Sequence, residues 1–322
     1  VCAVLIARAG FVLSRSADVL AGALGWGRGW VGLALLATVT SLPELVTGLS
    51  AVTVASTPDI AVGDALGSIV FNLALLALAE MLSRRGGLYG AAGRTHVLTA
   101  AVGVLMIGIV LLALSVARSA SGWAWGHASV FSVALIAVYG LAMRALYIFE
   151  MRSGAPSPTA SAGMPLRQAL GGYALAAMFI VVAGIWLPLV GVRLARIMLW
   201  SDSFVGTLLI AFATSMPELV TTLAALRIGA VDLALGNILG SNLFDLLIIA
   251  LDDLAHLGGP IFRDVDAAHA ATGLIAAIMN CVVIVALLRP PRSRLIGTLS
   301  WAGLSLAVLY VLSAVAQSSP GP

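Results

Sequence analysis

The sequence predicts an all-α integral membrane protein with about ten transmembrane helices, arranged as two inverted five-helix repeats. The first observation is composition, since 61% of the 322 residues are hydrophobic and only 10% are charged. An ordinary soluble domain carries roughly 25% charged residues. The second is a mean hydropathy of +1.09, distributed over apolar segments of about the 20 residues that a bilayer span requires. The third is a pair of polar motifs that occurs twice.

The apolar segments are separated by short polar stretches along the whole chain. The N-terminus begins inside the first segment without the pattern of a cleavable signal, so we treat that segment as the first span. The longest polar break, 151–166, is rich in Pro, Ser and Gly, which is typical of a flexible linker. The predicted spans are 1–24, 30–54, 60–82, 96–117, 127–150, 168–198, 203–226, 231–254, 267–288 and 295–315.

The linker divides the spans five and five. We predict a first repeat over 1–150 with its motifs at 37–73, and a second repeat over 167–322 with its motifs at 211–246. An odd number of spans in each repeat makes the second repeat enter the membrane from the opposite side. This is the inverted plan of many secondary transporters, whose binding site lies near the membrane midplane where the repeats meet.

The arginines predict the orientation of the chain. With the N-terminus outside, eleven arginines flank the spans on the inner side and four on the outer side. Because cytoplasmic loops carry an excess of basic residues, we expect a multi-pass protein of the cell (inner or plasma) membrane, with both termini outside and the linker in the cytoplasm. All 17 basic residues are arginines placed mostly between spans, so the net charge of +3 concerns topology and not nucleic acid.

The first repeated motif contains a proline and a glutamate in the middle of a span. It reads Thr-Ser-Leu-Pro-Glu up to Glu44 in the first half and Thr-Ser-Met-Pro-Glu up to Glu218 in the second. Pro43 and Pro217 each break the helix, and such a break survives in lipid only when it is buried in protein or faces a water-filled cavity. Freed carbonyls, hydroxyls and carboxylates then collect at membrane depth. Hard cations such as Ca²⁺ and Na⁺ prefer oxygen ligands of these kinds.

The second repeated motif is a Gly-Ser pair, centred on Ser68 in the first half and on Ser241 in the second, and its spacing matches that of the glutamates to within a single position. The glycine lets membrane helices approach closely. Asn72 and Asp245 follow their serines by four residues, so each serine shares a helical face with its amide or carboxylate. The motif therefore predicts polar side chains that point into one space.

Together the motifs bring a cluster of negative charge into the membrane. A charged side chain at mid-bilayer costs at least ~2.5–3.5 kcal/mol, and no basic residue lies nearby in sequence to compensate it. Metal cations or protons must therefore neutralise the cluster. A site that holds one Ca²⁺ or several Na⁺, but not both, is an exchange site. The residues that converge by symmetry are Glu44, Asn72, Glu218 and Asp245.

At these residues the sequence resembles the sodium/calcium exchanger family, within the wider cation/calcium antiporter group. The two inverted repeats of that family carry a Gly-Thr-Ser-x-Pro-Glu motif and a Gly-Asn-x-x-Gly-Ser-Asn motif followed by Asn or Asp. The resemblance implies transport of Ca²⁺ and Na⁺ without a cofactor. It places the central cation sites at Glu44, Asn72, Glu218 and Asp245, surrounded by Thr40, Ser41, Ser68, Thr214, Ser215 and Ser241, with the carbonyls of Ala37 and Ala211 at the flanks.

The chain departs from the family pattern at four positions. Val39 and Ala213 replace the motif glycine, and Asp64 and Ile69 stand where the family has asparagine. Ile69 removes one polar group, and Asp64 could alternatively add a charge near the inner site. These departures leave the coupling ion and the stoichiometry open. The asparagine–aspartate asymmetry at the central positions looks like sodium/calcium members and less like potassium-dependent ones. Proton-coupled members usually carry a different motif around their glutamates, which favours sodium.

The remaining polar residues receive structural interpretations. Asp252, two helical turns past Asp245, could alternatively line an outer vestibule that attracts cations. We interpret Asp64 and Asp232 as helix-start carboxylates, Glu80, Asp252, Asp253 and His256 as solvated helix ends, His96, His127 and His269 as residues without a metal role, and Cys2 and Cys281 as inert residues in the membrane.

The sequence thus predicts a secondary antiporter that exports Ca²⁺ against entry of Na⁺. Moving an empty, triply charged site through a dry barrier is prohibited, so the return step needs a bound ion. The alternatives are an antiporter of Ca²⁺ or another divalent cation against H⁺, and a passive cation channel. A channel needs weak binding along a continuous path, and no nucleophile–base pair suggests an enzyme. The expected partners are membrane lipid and small inorganic cations, with no nucleic acid and no obligate protein partner.

Overall fold

The computed structural model describes residues 2–82, 87–117, 124–152, 165–198, 205–295 and 299–318. Within them the chain is almost entirely helical, with one short antiparallel hairpin of β1 (Ala124–Trp125) and β2 (Ala128–Ser129). The α-helices are α1 (Cys2–Leu24), α2 (Arg28–Val31), α3 (Ala37–Thr40), α4 (Leu42–Ser50), α5 (Pro58–Leu82), α6 (Thr95–Val116), α7 (Val130–Arg152), α8 (Leu166–Met198), α9 (Ala211–Thr214), α10 (Met216–Arg227), α11 (Val231–Ala255), α12 (Ile261–Asp264), α13 (Ala268–Leu288) and α14 (Trp301–Ser318).

Each predicted span contains helix. In the described residues, six helical stretches are long and apolar enough to cross a membrane. One is Arg28–Ala55, which contains α2, α3 and α4 together with two turns of π-helix. The other five are α5, α6, α7, α11 and α13. The all-helical membrane fold is therefore confirmed, apart from the small hairpin. The exact number of spans stays a prediction. Most of the predicted linker, 153–164, lies outside the described residues.

Two helices form the centre of the molecule. In their most apolar 18-residue windows, α5 is 78% buried and α11 is 94% buried inside the protein, compared with 39% for α6 and 22% for α7. A helix that is apolar on all sides is expected in the interior of a bundle. The carboxylates and amides on α5 and α11 therefore lie in the least accessible part of the fold.

Glycines allow α5 and α11 to contact the broken helices beside them. A Cβ on Gly240 of α11 would lie 2.6 Å from the carbonyl oxygen of Leu33, and a Cβ on Gly67 of α5 would collide with the backbone of Thr207. Only a glycine fits at such a distance from another backbone. The two contacts correspond, since Gly67 and Leu33 of the first half match Gly240 and Thr207 of the second when the motifs are aligned.

Two histidines without a predicted metal role join the halves of the chain. His96 Nε2 lies 3.0 Å from Asp232 Oδ1, and His269 Nε2 lies 3.0 Å from Asp59 Oδ1. Each pair connects the first turns of two helices, and the two pairs occupy equivalent positions when the motifs are aligned. Asp232 is a helix-start carboxylate as predicted. Its partner from the other half of the chain was not predictable from local sequence.

The interpretation of Glu80 and Asp253 as solvated helix ends is wrong. Glu80 is 2% exposed and accepts hydrogen bonds from Arg294 (3.0 Å) and the Ser300 hydroxyl (3.1 Å). Asp253 is fully buried and accepts the backbone N–H of Ser129 at 2.7 Å. Both carboxylates bind the chain just before a helix of another part of the sequence begins, at α14 for Glu80 and at α7 for Asp253. They are buried because distant segments fold over the ends of α5 and α11.

The remaining histidines and cysteines of the sequence analysis lie at the surface of the bundle or form single hydrogen bonds. His256 binds Asp264 with Nε2 at 2.8 Å from Oδ2, and His127 Nε2 lies 3.0 Å from the carbonyl of Leu254. Cys281 is a free thiol on an exposed face of α13. The side chain of Cys2 lies outside the described residues.

Candidate cation site

The two proline motifs break their helices with the same backbone geometry. Ser41 has φ −91° and ψ 6°, and Ser215 has φ −80° and ψ 7°, between one short helix and the next. Proline then stands in the first turn of the new helix, where its fixed φ is favourable and its missing N–H costs little. Glu44 and Glu218 follow at once, so each break holds a glutamate in the first turn of α4 or α10.

The carbonyls of Ala37 and Ala211, which the sequence predicts at the flanks of the site, keep a helical hydrogen bond. Each of these carbonyls accepts a backbone N–H at 3.0 Å, from Ser41 and Ser215 respectively. The carbonyl that a proline leaves without its helical donor is the one four residues earlier. A turn of π-helix, Gly32–Leu36 or Val205–Ile210, precedes each break and was not predicted. Single π-helical turns are rare and frequent at functional sites.

The serines at the breaks bind glutamates across the two halves. Ser41 Oγ donates to Glu218 Oε1 at 3.1 Å, and Ser215 Oγ donates to Glu44 Oε1 at 3.2 Å. All four side chains are buried. The crossed pairs hold the two helix breaks against each other, so both glutamates lie at one junction between the halves.

The threonines at the breaks make a second crossed set. Thr40 Oγ1 lies 3.3 Å from Asn237 Oδ1, and Thr214 Oγ1 donates to Asp64 Oδ1 at 3.0 Å. Asp64 is 1% exposed, so its preferred interpretation as a helix-start carboxylate is wrong. The alternative, a charge near the site, agrees with the contact to Thr214. The equivalence of Asp64 to Asn237 inside the repeated motif was the signal in the sequence for this alternative.

The motif residues of α5 and α11 complete the cluster. Ser241 Oγ donates to Glu218 Oε1 at 3.2 Å and lies 3.4 Å from Thr40 Oγ1. All of the predicted side-chain ligands are buried. Within the described part of the chain, the buried oxygens that have no hydrogen-bond partner include Glu44 Oε2, Asp64 Oδ2, Ser68 Oγ, Asn72 Oδ1, Glu218 Oε2 and both carboxylate oxygens of Asp245.

The cluster carries negative charge without a cationic partner. The charge on Glu44 is repelled by Glu218, Asp245 and Asp64. Among the residues that the structure describes, no arginine or histidine forms an ion pair with any of the four carboxylates. Burying charges in this way is costly unless something compensates them. A cation or a proton can do so.

A cation here would need mixed oxygen ligands. In the described residues, no three Asp, Glu, His or Cys side chains converge closely enough to hold a metal ion by themselves. The serine, threonine and asparagine oxygens between the carboxylates supply the additional ligands. Such a set suits hard cations, and Ca²⁺ takes six to eight oxygens in flexible geometry.

The family model described as "Sodium/calcium exchanger protein" matches residues 1–148 and 168–319. This match covers both motif pairs and nearly the whole chain. The chain belongs to the sodium/calcium exchanger family. Several residues that carried the resemblance in the sequence, among them both glutamates, are joined across the two halves by hydrogen bonds.

Individual relatives have names that fit this family. The inner membrane protein YrbG of Escherichia coli is 29% identical over 226 residues, covering 68% of this chain and 66% of that protein. The putative antiporter CaxA of Alkalimonas amylolytica is 29% identical over 225 residues, covering 68% and 67%. The match therefore spans about two thirds of the length of these relatives. The sodium/calcium exchanger MaX1 of Methanosarcina acetivorans is 48% identical over 48 residues, 15% of this chain and 14% of that protein.

A solved structure shows the same fold. The sodium-calcium exchanger NCX_Mj superposes with a TM-score of 0.72 at 21% identity, covering 99% of this chain and 96% of that one. At this identity the likeness establishes the fold alone. It agrees with an all-helical membrane protein, and the relatives named here are described as an exchanger, an antiporter and a membrane protein rather than as enzymes.

Proposed function

We propose that the protein exchanges Na⁺ for Ca²⁺ across the membrane, exporting Ca²⁺ against entry of Na⁺. The observation that carries the proposal is the crossed pairing of Ser41 with Glu218 and of Ser215 with Glu44, at 3.1 and 3.2 Å. It holds two buried glutamates at the junction of two broken helices. Among the described residues, each glutamate has one oxygen without a hydrogen-bond partner and neither pairs with a basic side chain. Family membership supports the same activity.

The chemistry of exchange follows from one shared set of oxygens. Glu44, Glu218 and Asp245 hold one Ca²⁺ or several Na⁺, with Asn72 and the motif hydroxyls filling the remaining coordination positions. Because both ions need the same carboxylates, binding one load displaces the other. The transported ions are substrates, and the mechanism requires no cofactor.

Alternating access couples the two ion movements. Some helices rock against the motif core and expose the site first to one side of the membrane and then to the other. Without cations, the site carries several uncompensated charges in a low-dielectric barrier, where each charge is costly. The return step therefore needs a bound ion load, which makes transport an exchange and not a leak.

We also propose that 1–150 and 167–322 are inverted repeats joined by the linker 151–166, in a cell membrane with both termini outside and the linker in the cytoplasm. The helix breaks, crossed bonds and His–Asp pairs, which all occupy equivalent positions when the motifs are aligned, support two equivalent halves. A single cysteine introduced into the linker should react with an impermeant thiol reagent only from the cytoplasmic side. Labelling from outside would contradict this topology.

A Ca²⁺/H⁺ antiporter is the second candidate. Asp64, which replaces the usual asparagine of the family, adds a fourth buried carboxylate beside the other three. Four carboxylates carry more negative charge than one Ca²⁺ neutralises. The excess acidic groups favour protons as counter-ions. In this mechanism Glu44 and Glu218 lose their protons when Ca²⁺ binds and regain them on the return step.

Uptake of Ca²⁺ by proteoliposomes tests both candidates. One set of vesicles holds internal Na⁺, and a matched set holds a proton gradient without Na⁺. We expect uptake only with internal Na⁺. Uptake driven by the proton gradient alone would exclude the sodium mechanism and assign proton transfer to the glutamates. Uptake without any counter-ion would indicate a channel.

A further inference from the structure

Asp252 is a buried carboxylate without a partner, outside the central cluster. It lies in the last turn of α11, and the prediction of a solvated helix end is wrong because its side chain is 0% exposed. Neither of its oxygens has a hydrogen-bond partner in the part of the chain that the structure describes. A buried carboxylate in this situation points to a positive ligand or a proton.

A glycine on the neighbouring helix leaves space for the Asp252 carboxylate. A Cβ added to Gly48 of α4 would lie 2.8 Å from Asp252 Oδ1 and closer still to Oδ2. Gly48 belongs to the first half and Asp252 to the second, and the equivalent positions carry Thr222 and Ala79. A glycine and a carboxylate at one pair of positions thus correspond to a threonine and an alanine at the other. The Asp252 carboxylate therefore occupies the space that a side chain at position 48 would fill.

Asp64 connects Asp252 with the central cluster. Its Oδ1 accepts the hydrogen bond from Thr214, and its Oδ2 is buried without a partner among the described residues. Asp64 is near enough for its negative charge to repel that of Asp252 and that of the glutamates Glu44 and Glu218. Two buried carboxylates, each with at least one oxygen that has no partner among the described residues, therefore lie beyond the helix breaks.

This pair is displaced from the centre toward one end of the bundle. Asp252 is seven residues past Asp245 on α11, or about 10 Å along the helix, and Asp64 is eight residues before Asn72 on α5, or about 12 Å. Both displacements lead toward the end where α5 begins and α11 ends. The corresponding residues at the opposite end, Asn237 and Ala79, carry no charge, so the acidic extension exists on one side only.

We propose that Asp64 and Asp252 form a second cation position, which Na⁺ or Ca²⁺ occupies between the central cluster and the end of the molecule where α5 begins. The inference rests on the proposed function for the identity of its cations. The carboxylate of Asp64 is shared between the two positions, and the hydroxyl of Thr214 fixes its orientation. Ions that enter or leave at this end pass the pair, whereas ions at the opposite end meet no such charge.

Direct binding of radioactive Ca²⁺ to the purified full-length protein tests the second position. We expect Asp252→Asn to remove part of the bound Ca²⁺ and to leave the rest, and Glu218→Gln to remove the complementary part. Gly48→Ala should act like Asp252→Asn, because the added methyl group displaces the carboxylate without removing its charge. Asp232→Asn, a partly exposed carboxylate paired with His96, is the matched control and should bind as the parent protein does.

Transport kinetics supply the second measurement. Asp252→Asn should raise the KM for Ca²⁺ added on the side of Asp252 by about tenfold, the loss of roughly 1.4 kcal/mol of binding free energy, while the KM on the opposite side stays unchanged. Unchanged binding and unchanged KM in Asp252→Asn and Gly48→Ala, with exchange intact, would overturn the second position and leave the proposed function standing. Absence of exchange in the parent protein would overturn the proposed function, and the binding assay would still decide on the second position.

Discussion

The helix break at Ser41 and the helix break at Ser215 have the same backbone geometry, but the polar residues around them differ between the two halves. Asp64 corresponds to Asn237, and Asn72 corresponds to Asp245. Each half therefore supplies a carboxylate where the other supplies an amide. The backbone symmetry positions the oxygens, and the side-chain differences decide where the negative charge lies.

The hydrogen bonds illustrate what this difference does. Asn237 Nδ2 donates to Thr221 at 3.0 Å and to Thr222 at 3.2 Å, so both N–H groups of its amide bind within its own half. Asp64 cannot donate when ionised, and its second oxygen stays without a partner among the described residues. A symmetric site would present the same ligands to both sides of the membrane. This one has an acidic end and a neutral end.

The largest expected effect is the loss of exchange in Glu218→Gln. The amide oxygen still accepts the hydrogen bonds of Ser41 and Ser241, so the protein should fold, but the charge that holds the cation is gone. We expect Ca²⁺ uptake into Na⁺-loaded vesicles to fall to the background of empty vesicles. Glu44→Gln should behave in the same way, because the crossed bonds are equivalent. Retained exchange in either variant would contradict the site assignment.

A smaller effect should follow when both halves carry asparagine at the central position of Asn72 and Asp245. Asp245→Asn removes one of the central charges and makes α11 resemble α5 there. We expect exchange to slow by roughly tenfold, as for loss of one charge-assisted contact, and fewer Na⁺ to move for each Ca²⁺. The reversal potential of the exchange current measures that ratio. An unchanged ratio would show that Asp245 does not set the stoichiometry.

Stability should respond to the glycines that bring the halves together. Gly240→Ala places a methyl group against the carbonyl of Leu33, and Gly67→Ala places one against Thr207. Overpacking of this kind costs about 1–3 kcal/mol, so both variants should melt at lower temperature in detergent. Gly108→Ala is the matched control, since nothing within 4 Å would meet its Cβ. If Gly67 and Gly240 tolerate alanine as well as Gly108 does, the close approach is not needed for stability.

The smallest effect should separate the two crossed hydrogen bonds. Ser41→Ala and Ser215→Ala each remove one hydrogen-bond donor to a glutamate but leave its charge in place, a loss of about 0.5–1 kcal/mol, so the KM for Ca²⁺ should rise by roughly two- to fivefold in each. Ser115→Ala, an exposed serine of α6, should leave the KM unchanged. Unequal effects of the two variants would show that the halves are not equivalent during transport.

The sequence by itself determined the membrane fold, the positions of the helices and the helix breaks at Ser41 and Ser215. These features depend on local causes: runs of apolar residues long enough to span a bilayer, and prolines that cannot continue a helix. The duplication of the motifs also singled out the glutamates, Asn72 and Asp245 as candidate site residues. Polar residues that recur at constant spacing within apolar sequence can be recognised from the sequence of each half alone.

Only the tertiary structure decided which polar residues bind each other. Ser41 and Glu218 are 177 residues apart in the chain, and the duplicated motifs predict that they share a site but not that they bind each other. The burial of Asp64, Glu80 and Asp252 was missed because each lies near a helix end that local pattern predicts to be solvated. Distant segments cover those ends in the folded bundle. A carboxylate's surroundings, and with them its charge and its ligands, are properties of packing and not of local sequence.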